Sequence, residues 1–174
     1  MRTASSASQI KALLDNLDEG FDRAAWHGPN LGQALRGVTA KQAAWRPAPG
    51  RHNIWELVVH LAYLKSTVRW RLVGGKRGEF PERGTNWFPR NRGLTEALWH
   101  RDVALLKQEH RRLRDTVATL EPGQPFDRAQ GLRLSKLVKG RRLADHVRGL
   151  AFHDICHAGQ IQLLKILQAE RRQP

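Results

Sequence analysis

The chain has 174 residues, 40% of them hydrophobic, and a formal net charge of +14 at pH 7. This length and apolar content predict a single domain over residues 1–174. A single cysteine excludes an internal disulfide framework. No apolar run reaches the ~20 residues of a membrane span, and the first residues lack a secretory signal. From these three features we predict a cytoplasmic protein. The positive charge attracts polyanions, which keeps nucleic acid among the partners to be considered.

Two long helices are predicted in the first half of the chain. Apolar residues recur every three or four positions from Ile10 to Phe21, which predicts an amphipathic helix near residues 5–27. LGQALRG is predicted as a short helical piece, and Thr39 as the N-cap of AKQAAW. The second long helix is predicted near residues 53–73, because Asn53 and Glu56 have the spacing of a capping box.

A long connection and a third helix follow. From Gly74 to Gly93 the sequence is rich in glycine and has no periodicity. We predict either a lid or binding loop, or an ordinary crossover pinned by Trp87 and Phe88. The third long helix is predicted near residues 95–120, and His110 lies in its apolar stripe. Buried imidazoles normally have hydrogen-bond partners, so His110 is predicted to be hydrogen-bonded at the edge of the core.

The last helix, predicted near residues 140–170, carries histidines on its apolar face. His146, His153 and His157 share this face with Leu150 and Ile161, at spacings of three and four. Burying a neutral imidazole is unfavourable unless both ring nitrogens have partners, so these histidines need an explanation. An isolated pair one turn apart is more often hydrogen-bonded at a core edge than bound to metal.

A third histidine in the second long helix changes that balance. If the second and last long helices pack side by side, His60, His153 and His157 form a three-nitrogen site with one coordination position open, as in catalytic zinc sites. Zinc or nickel is expected rather than magnesium, because imidazole is a poor ligand for hard cations. Asp154 makes the motif HDICH rather than the HExxH of metalloproteases. Cys156 points about 100° away from His157 around the helix and is predicted as a small buried residue.

Two segments together resemble a known family. GVTAKQAAWRPAPGRHNIWELVVHLA (residues 37–62) and HVRGLAFHDICHAGQIQLLK (residues 146–165) are similar to the DinB/YfiT-like superfamily, whose signature is a histidine on the second helix and HxxxHxGQI on the last. The resemblance implies an all-α four-helix bundle with long connecting loops and a metal ion bound by His60, His153 and His157.

Four further residues are candidates for proton transfer or for orienting the ligands. Glu56 lies one turn before His60 and is alternatively only a capping residue. Asp154 and Gln160 lie beside the histidines of the last helix and could hold them in place. His146 lies two turns before His153, ~10 Å along the axis at 1.5 Å per residue, which suits a pocket wall.

The resemblance implies a metal-dependent enzyme. Family members with assigned activity include transferases and isomerases that use low-molecular-weight thiols such as bacillithiol and mycothiol, and a metal-dependent hydrolase is the alternative. A non-enzymatic, basic nucleic-acid-binding bundle is a third interpretation. The sequence has no helix-turn-helix, zinc-finger or phosphate-loop signature, so no specific nucleic acid is expected. The expected partners are a small-molecule substrate and a second copy in a homodimer, and no membrane.

Overall fold

The computed structural model describes residues 3–73, 80–84, 86–91, 93–120 and 143–171. Within these ranges the protein contains six helices and no strand, which confirms the all-α class. The helices are α1 (Thr3–Phe21), α2 (Leu31–Leu35), α3 (Ala40–Ala44), α4 (Ile54–Val73), α5 (Glu96–Ala118) and α6 (Leu143–Glu170). None of the helices described combines the length and the apolar character needed to cross a bilayer.

The four long helices pack in a ring. Helix α1 contacts α5 and α6, and α4 contacts the same two helices from the other side. The short helices lie against this bundle, with α2 packed on α6 and α3 packed on α4 and α5. Because α4 and α6 are neighbours, residues far apart in the sequence meet at their interface.

The short helices are fixed by local hydrogen bonds. Asn30 accepts from the Gln33 N–H, and the Gln33 side chain accepts from the Asn30 N–H, which makes a reciprocal capping box. Thr39 and Gln42 make the same arrangement at α3, so the predicted N-cap is confirmed. The first helix ends at Phe21 rather than near residue 27. It ends there because the Arg23 N–H turns back to the Asp18 carbonyl and the Asn30 side chain donates to the Arg23 carbonyl.

Two buried tryptophans join α4 to α5. Trp55 and Trp99 meet edge to face, with ring centroids 5.3 Å apart. Each indole N–H has a partner, Asp102 Oδ2 at 2.9 Å for Trp55 and the Val38 carbonyl at 2.7 Å for Trp99. The two rings therefore bury a large apolar area without leaving a donor unsatisfied.

A buried ion pair joins α4 to α6. Lys65 Nζ lies 2.5 Å from Asp154 Oδ2, and both side chains are fully buried. Such a pair resists sliding of one helix along the other, since moving either helix would leave a buried charge without its partner. It therefore fixes the position of α6 along α4.

Two predictions about individual side chains are wrong. Cys156 is exposed rather than buried, because its position on α6 faces away from the bundle, next to the exposed Phe152. His110 is buried as expected, but its Nδ1 has no hydrogen-bond partner among the residues described. Its ring instead stacks on Phe21, with centroids 3.7 Å apart.

Candidate metal centre

Three histidines converge between α4 and α6. The Nε2 atom of His153 lies 3.1 Å from that of His60 and 3.0 Å from that of His157. Their ligand atoms all lie within 4.8 Å of one another, a group that could hold one metal ion. His60 and His157 are buried, and His153 is half-buried, so the group opens toward solvent on the His153 side.

The local structure explains why these side chains meet. His153 and His157 are one helical turn apart on α6 and therefore project from the same face. On α6 they lie between Val147, which packs in one apolar cluster, and Ile161, which packs in the other. His60 reaches them from α4, whose position along α6 is set by the buried ion pair described above.

In two of the histidines, His60 and His157, the hydrogen bond made by Nδ1 fixes the tautomer of the ring. His60 Nδ1 lies 2.8 Å from the Asn86 backbone carbonyl, which can only accept, so His60 carries its proton on Nδ1. His157 Nδ1 lies 2.7 Å from Gln160 Oε1 and likewise donates. Both Nε2 atoms therefore present lone pairs toward the centre. The predicted contact between Gln160 and a histidine is present.

Each of the three rings is neutral at pH 7 and carries a single ring proton. Burial lowers the pKa of His60 and of His153 to about 4, and it also lowers the pKa of His157. A proton on His153 Nε2 could be donated to only one of its two neighbours. At least two neighbouring Nε2 atoms therefore point their lone pairs at each other across ~3 Å, a typical hydrogen-bond separation, with no hydrogen between them. A cation at the centre would remove this repulsion, so the donor set fits a divalent metal ion.

Trp87 forms one wall of the centre. Its indole is stacked between two imidazoles, with ring centroids 4.1 Å from His60 and 3.6 Å from His52. Trp87 thus covers the face of the His60 ring. His52 is exposed, and no pattern in the sequence associates it with the site, although it lies four residues before Glu56.

Glu56 supports that wall rather than closing a capping box. Asn53 accepts from the Glu56 N–H at 2.8 Å as predicted, but the Glu56 carboxylate binds Arg46 through both oxygens, at 2.6 and 3.0 Å, and His52 at 2.9 Å. Burial alone would raise the pKa of Glu56, but hydrogen bonds from Arg46, His52 and the Arg90 N–H lower it to about 2. These contacts favour a structural role, and proton transfer by Glu56 stays a prediction.

The described part of the long connection is attached to α4 and α5. Phe88 is buried, Arg90 Nε donates to Asp102 Oδ2 at 2.9 Å, and the Asn53 side chain donates to the Arg90 carbonyl. Residues 86–91 thus match the predicted crossover pinned by aromatic residues. Residues 74–79, 85 and 92 of the predicted loop lie outside the described residues.

The remaining candidates lie around the centre in different ways. Asp154 binds Lys65 and shows no hydrogen bond to the histidines in the part of the chain described, so its predicted orienting role is taken by Asn86 and Gln160. His146 is half-buried on α6, two turns before His153. Proton transfer by Asp154 or by His146 stays a prediction.

Fold and site together define an all-α bundle with a three-histidine centre that could hold a metal ion. A scan against protein-family models gives a match to the DinB superfamily over residues 23–161. The chain belongs to the DinB superfamily, as its two motif segments predicted. No curated protein and no solved structure matched the chain.

Proposed function

We propose that this protein is a metal-dependent enzyme that transfers a low-molecular-weight thiol onto a small electrophile. In this proposal one divalent ion, zinc or nickel, is held by His60, His153 and His157. The observation that carries the proposal is the convergence of three histidine Nε2 atoms, two of which have lone pairs directed toward the centre by their Nδ1 hydrogen bonds. Three imidazoles form a donor set typical of catalytic zinc sites with one open position.

A bound ion would act there as a Lewis acid that favours the thiolate form of a thiol at neutral pH. The residues of the chain hold the rings in place. The Asn86 carbonyl and Gln160 Oε1 orient His60 and His157, and Trp87 keeps water from the covered face of His60. Substrate would then approach from the half-buried His153 side.

The thiol proton must leave the centre when the thiolate forms. Hydrogen bonds from Arg46 and His52 outweigh burial and lower the pKa of Glu56, which makes it a weak base. Burial raises the pKa of Asp154, but this carboxylate is enclosed with Lys65 and makes no hydrogen bond to the three histidines within the described residues. We propose that the proton leaves to solvent on the His153 side, or by way of His146. This assignment predicts that neither carboxylate is needed for the chemical step itself.

The positive charge gives little support to the nucleic-acid alternative. Several described arginines are already paired with carboxylates, for example Arg23 with Asp15 and Arg114 with Asp18. Charge alone still predicts weak, salt-dependent association with polyanions. Sequence-selective binding that persists at physiological salt would contradict the proposed enzyme.

The test begins with elemental analysis of protein purified without an affinity tag. We expect one zinc or nickel ion per chain, lost in His60→Ala, His153→Ala and His157→Ala but retained in His100→Ala, an exposed position on α5. Full metal content in His60→Ala would refute the three-histidine site.

Activity is then measured with a small electrophile and a panel of biological thiols. Thiol consumption that requires both the metal and His157 would support transfer. Turnover of ester or amide substrates without a thiol would instead favour the metal-dependent hydrolase. Equal inertness of the metal-loaded wild type and His157→Ala would refute the transfer reaction.

A further inference from the structure

A second cavity lies away from the three-histidine centre. It has a volume of about 620 Å³, is open to solvent on one side, and is lined by the end of α1, by α2 with the residues after it, and by α5. Its lining shares no residue with the centre between α4 and α6. Cavities of ~300–1,000 Å³ with apolar walls are the usual form of small-molecule sites. The main apolar walls are Phe21, Leu35, Val38, Trp99, Val103 and Leu106.

His110 gives this apolar cavity one polar group without a partner. The side chain lines the cavity, is 3% exposed, and stacks on Phe21 at 3.7 Å. Its Nδ1 has no hydrogen-bond partner among the residues described. Burial lowers the pKa of His110 to about 2, so the ring is neutral and offers one N–H and one lone pair. A buried polar atom of this kind destabilises the protein unless a ligand or water satisfies it.

The rim of the cavity is cationic. Arg36, Lys107 and Arg111 line it, are exposed, and form no ion pair within the described ranges. Among the described residues that line the cavity, Asp22 is the single acidic one. Lys107 and Arg111 are one turn apart on α5, and His110 lies between them in the sequence. Anionic groups are therefore favoured beside the imidazole.

We propose that this cavity binds a small organic anion with an aromatic or aliphatic body. The body lies against Phe21, Trp99 and Leu106, one polar atom is hydrogen-bonded to His110, and the negative charge is neutralised by Lys107 and Arg111. The fold thereby offers a ligand site that is independent of metal. A neutral molecule of the same shape binds more weakly, since it leaves the cationic rim unpaired.

The probes are 1-naphthoate and decanoate, with 1-naphthamide as the neutral analogue, titrated into the full chain by calorimetry at physiological salt. We expect saturable binding of at least one anion and weaker binding of the amide. Val103→Trp fills the cavity and should abolish binding, whereas Gln108→Trp, exposed on α5 and outside the lining, should preserve it. Far-ultraviolet circular dichroism, compared with the wild type, checks that both variants are folded.

Charge and hydrogen bonding are separated by two more variants. Lys107→Glu should weaken the anion about threefold or more relative to Lys41→Glu, which changes the net charge equally on α3. His110→Phe keeps the ring shape and should weaken binding about fivefold. Binding must also persist in His60→Ala. Loss of binding in His60→Ala would place the anion at the three-histidine centre and would overturn the proposal. The proposal would also be overturned if Val103→Trp bound the anion as well as the wild type, or if neither anion showed saturable binding.

Discussion

Replacing Lys65 by methionine tests whether the buried ion pair holds α4 and α6 in register. Lys65 Nζ and Asp154 Oδ2 are 2.5 Å apart and both side chains are fully buried, so the variant would leave a carboxylate without solvent and without its cation. Removing one partner of a buried pair costs about 3–5 kcal/mol. A typical domain is stable by only ~5–15 kcal/mol, so this loss is a large part of the total.

The second half of this test removes both charges. Lys65→Met with Asp154→Leu replaces the pair by apolar groups, which is often neutral or stabilising by about 1–4 kcal/mol. Chemical denaturation of chelator-treated protein, followed by far-ultraviolet circular dichroism, measures each free energy of unfolding. Lys41→Met makes the same chemical change at an exposed position of α3 and should alter stability by less than about 0.5 kcal/mol.

Metal content links this perturbation to the site. Asp154 directly follows His153, and Lys65 lies five residues after His60. The single variant should therefore lose metal affinity as well as stability, and the double variant should recover both. A cost below about 1 kcal/mol for Lys65→Met would show that the pair behaves like a solvated surface bridge. Equal instability of the single and double variants would show that the charges themselves are required.

Three further predictions concern side chains next to the centre and to the second cavity. Gln160→Ala should weaken metal binding about 10-fold or more, because His157 loses its orienting partner. The control Gln162→Ala, on the same helix, should leave metal binding unchanged. Equal metal affinities of the two variants in a chelator competition would contradict this prediction. Trp87→Ala removes two ring stacks and should lower the free energy of unfolding by ~1–3 kcal/mol, measured by denaturation. The pKa of His110 is lowered to about 2 in the folded chain, so the unfolded state binds the extra proton as pH falls through ~6.5 and stability drops. His110→Phe should be less sensitive by about 2 kcal/mol between pH 7 and pH 5, and parallel stability curves for the two proteins would refute the buried neutral imidazole.

The helices could be predicted because their signals are local. Spacings of three and four along α1, α4, α5 and α6 depend only on each segment, and so do the caps at Thr39 and Asn53. The end of α1 could not be predicted, because it depends on the Asn30 side chain binding the Arg23 carbonyl from the next helix. The same limit applies to Glu56, whose spacing predicts either a local cap or proton transfer but whose carboxylate binds Arg46 and His52.

The centre shows the same division between local and tertiary information. The three histidines could be named from periodicity and the family motif, and the α4–α6 contact brings them within ligand distance. Their partners could be foreseen only where the spacing is helical, as for His157 and Gln160 on α6. The Asn86 carbonyl and Trp87 come from an aperiodic connection, where no pattern predicts which backbone atom meets the His60 ring.

This difference has a chemical consequence. The Nδ1 hydrogen bond that directs the Nε2 lone pair of His60 goes to the backbone carbonyl of Asn86, which substitution of that residue would leave in place. The orientation of His157 is set by a side chain and can be lost in one mutation. Variation in the connection should therefore alter the wall that Trp87 forms over His60 more readily than it alters the three-histidine group, which depends chiefly on α4 and α6.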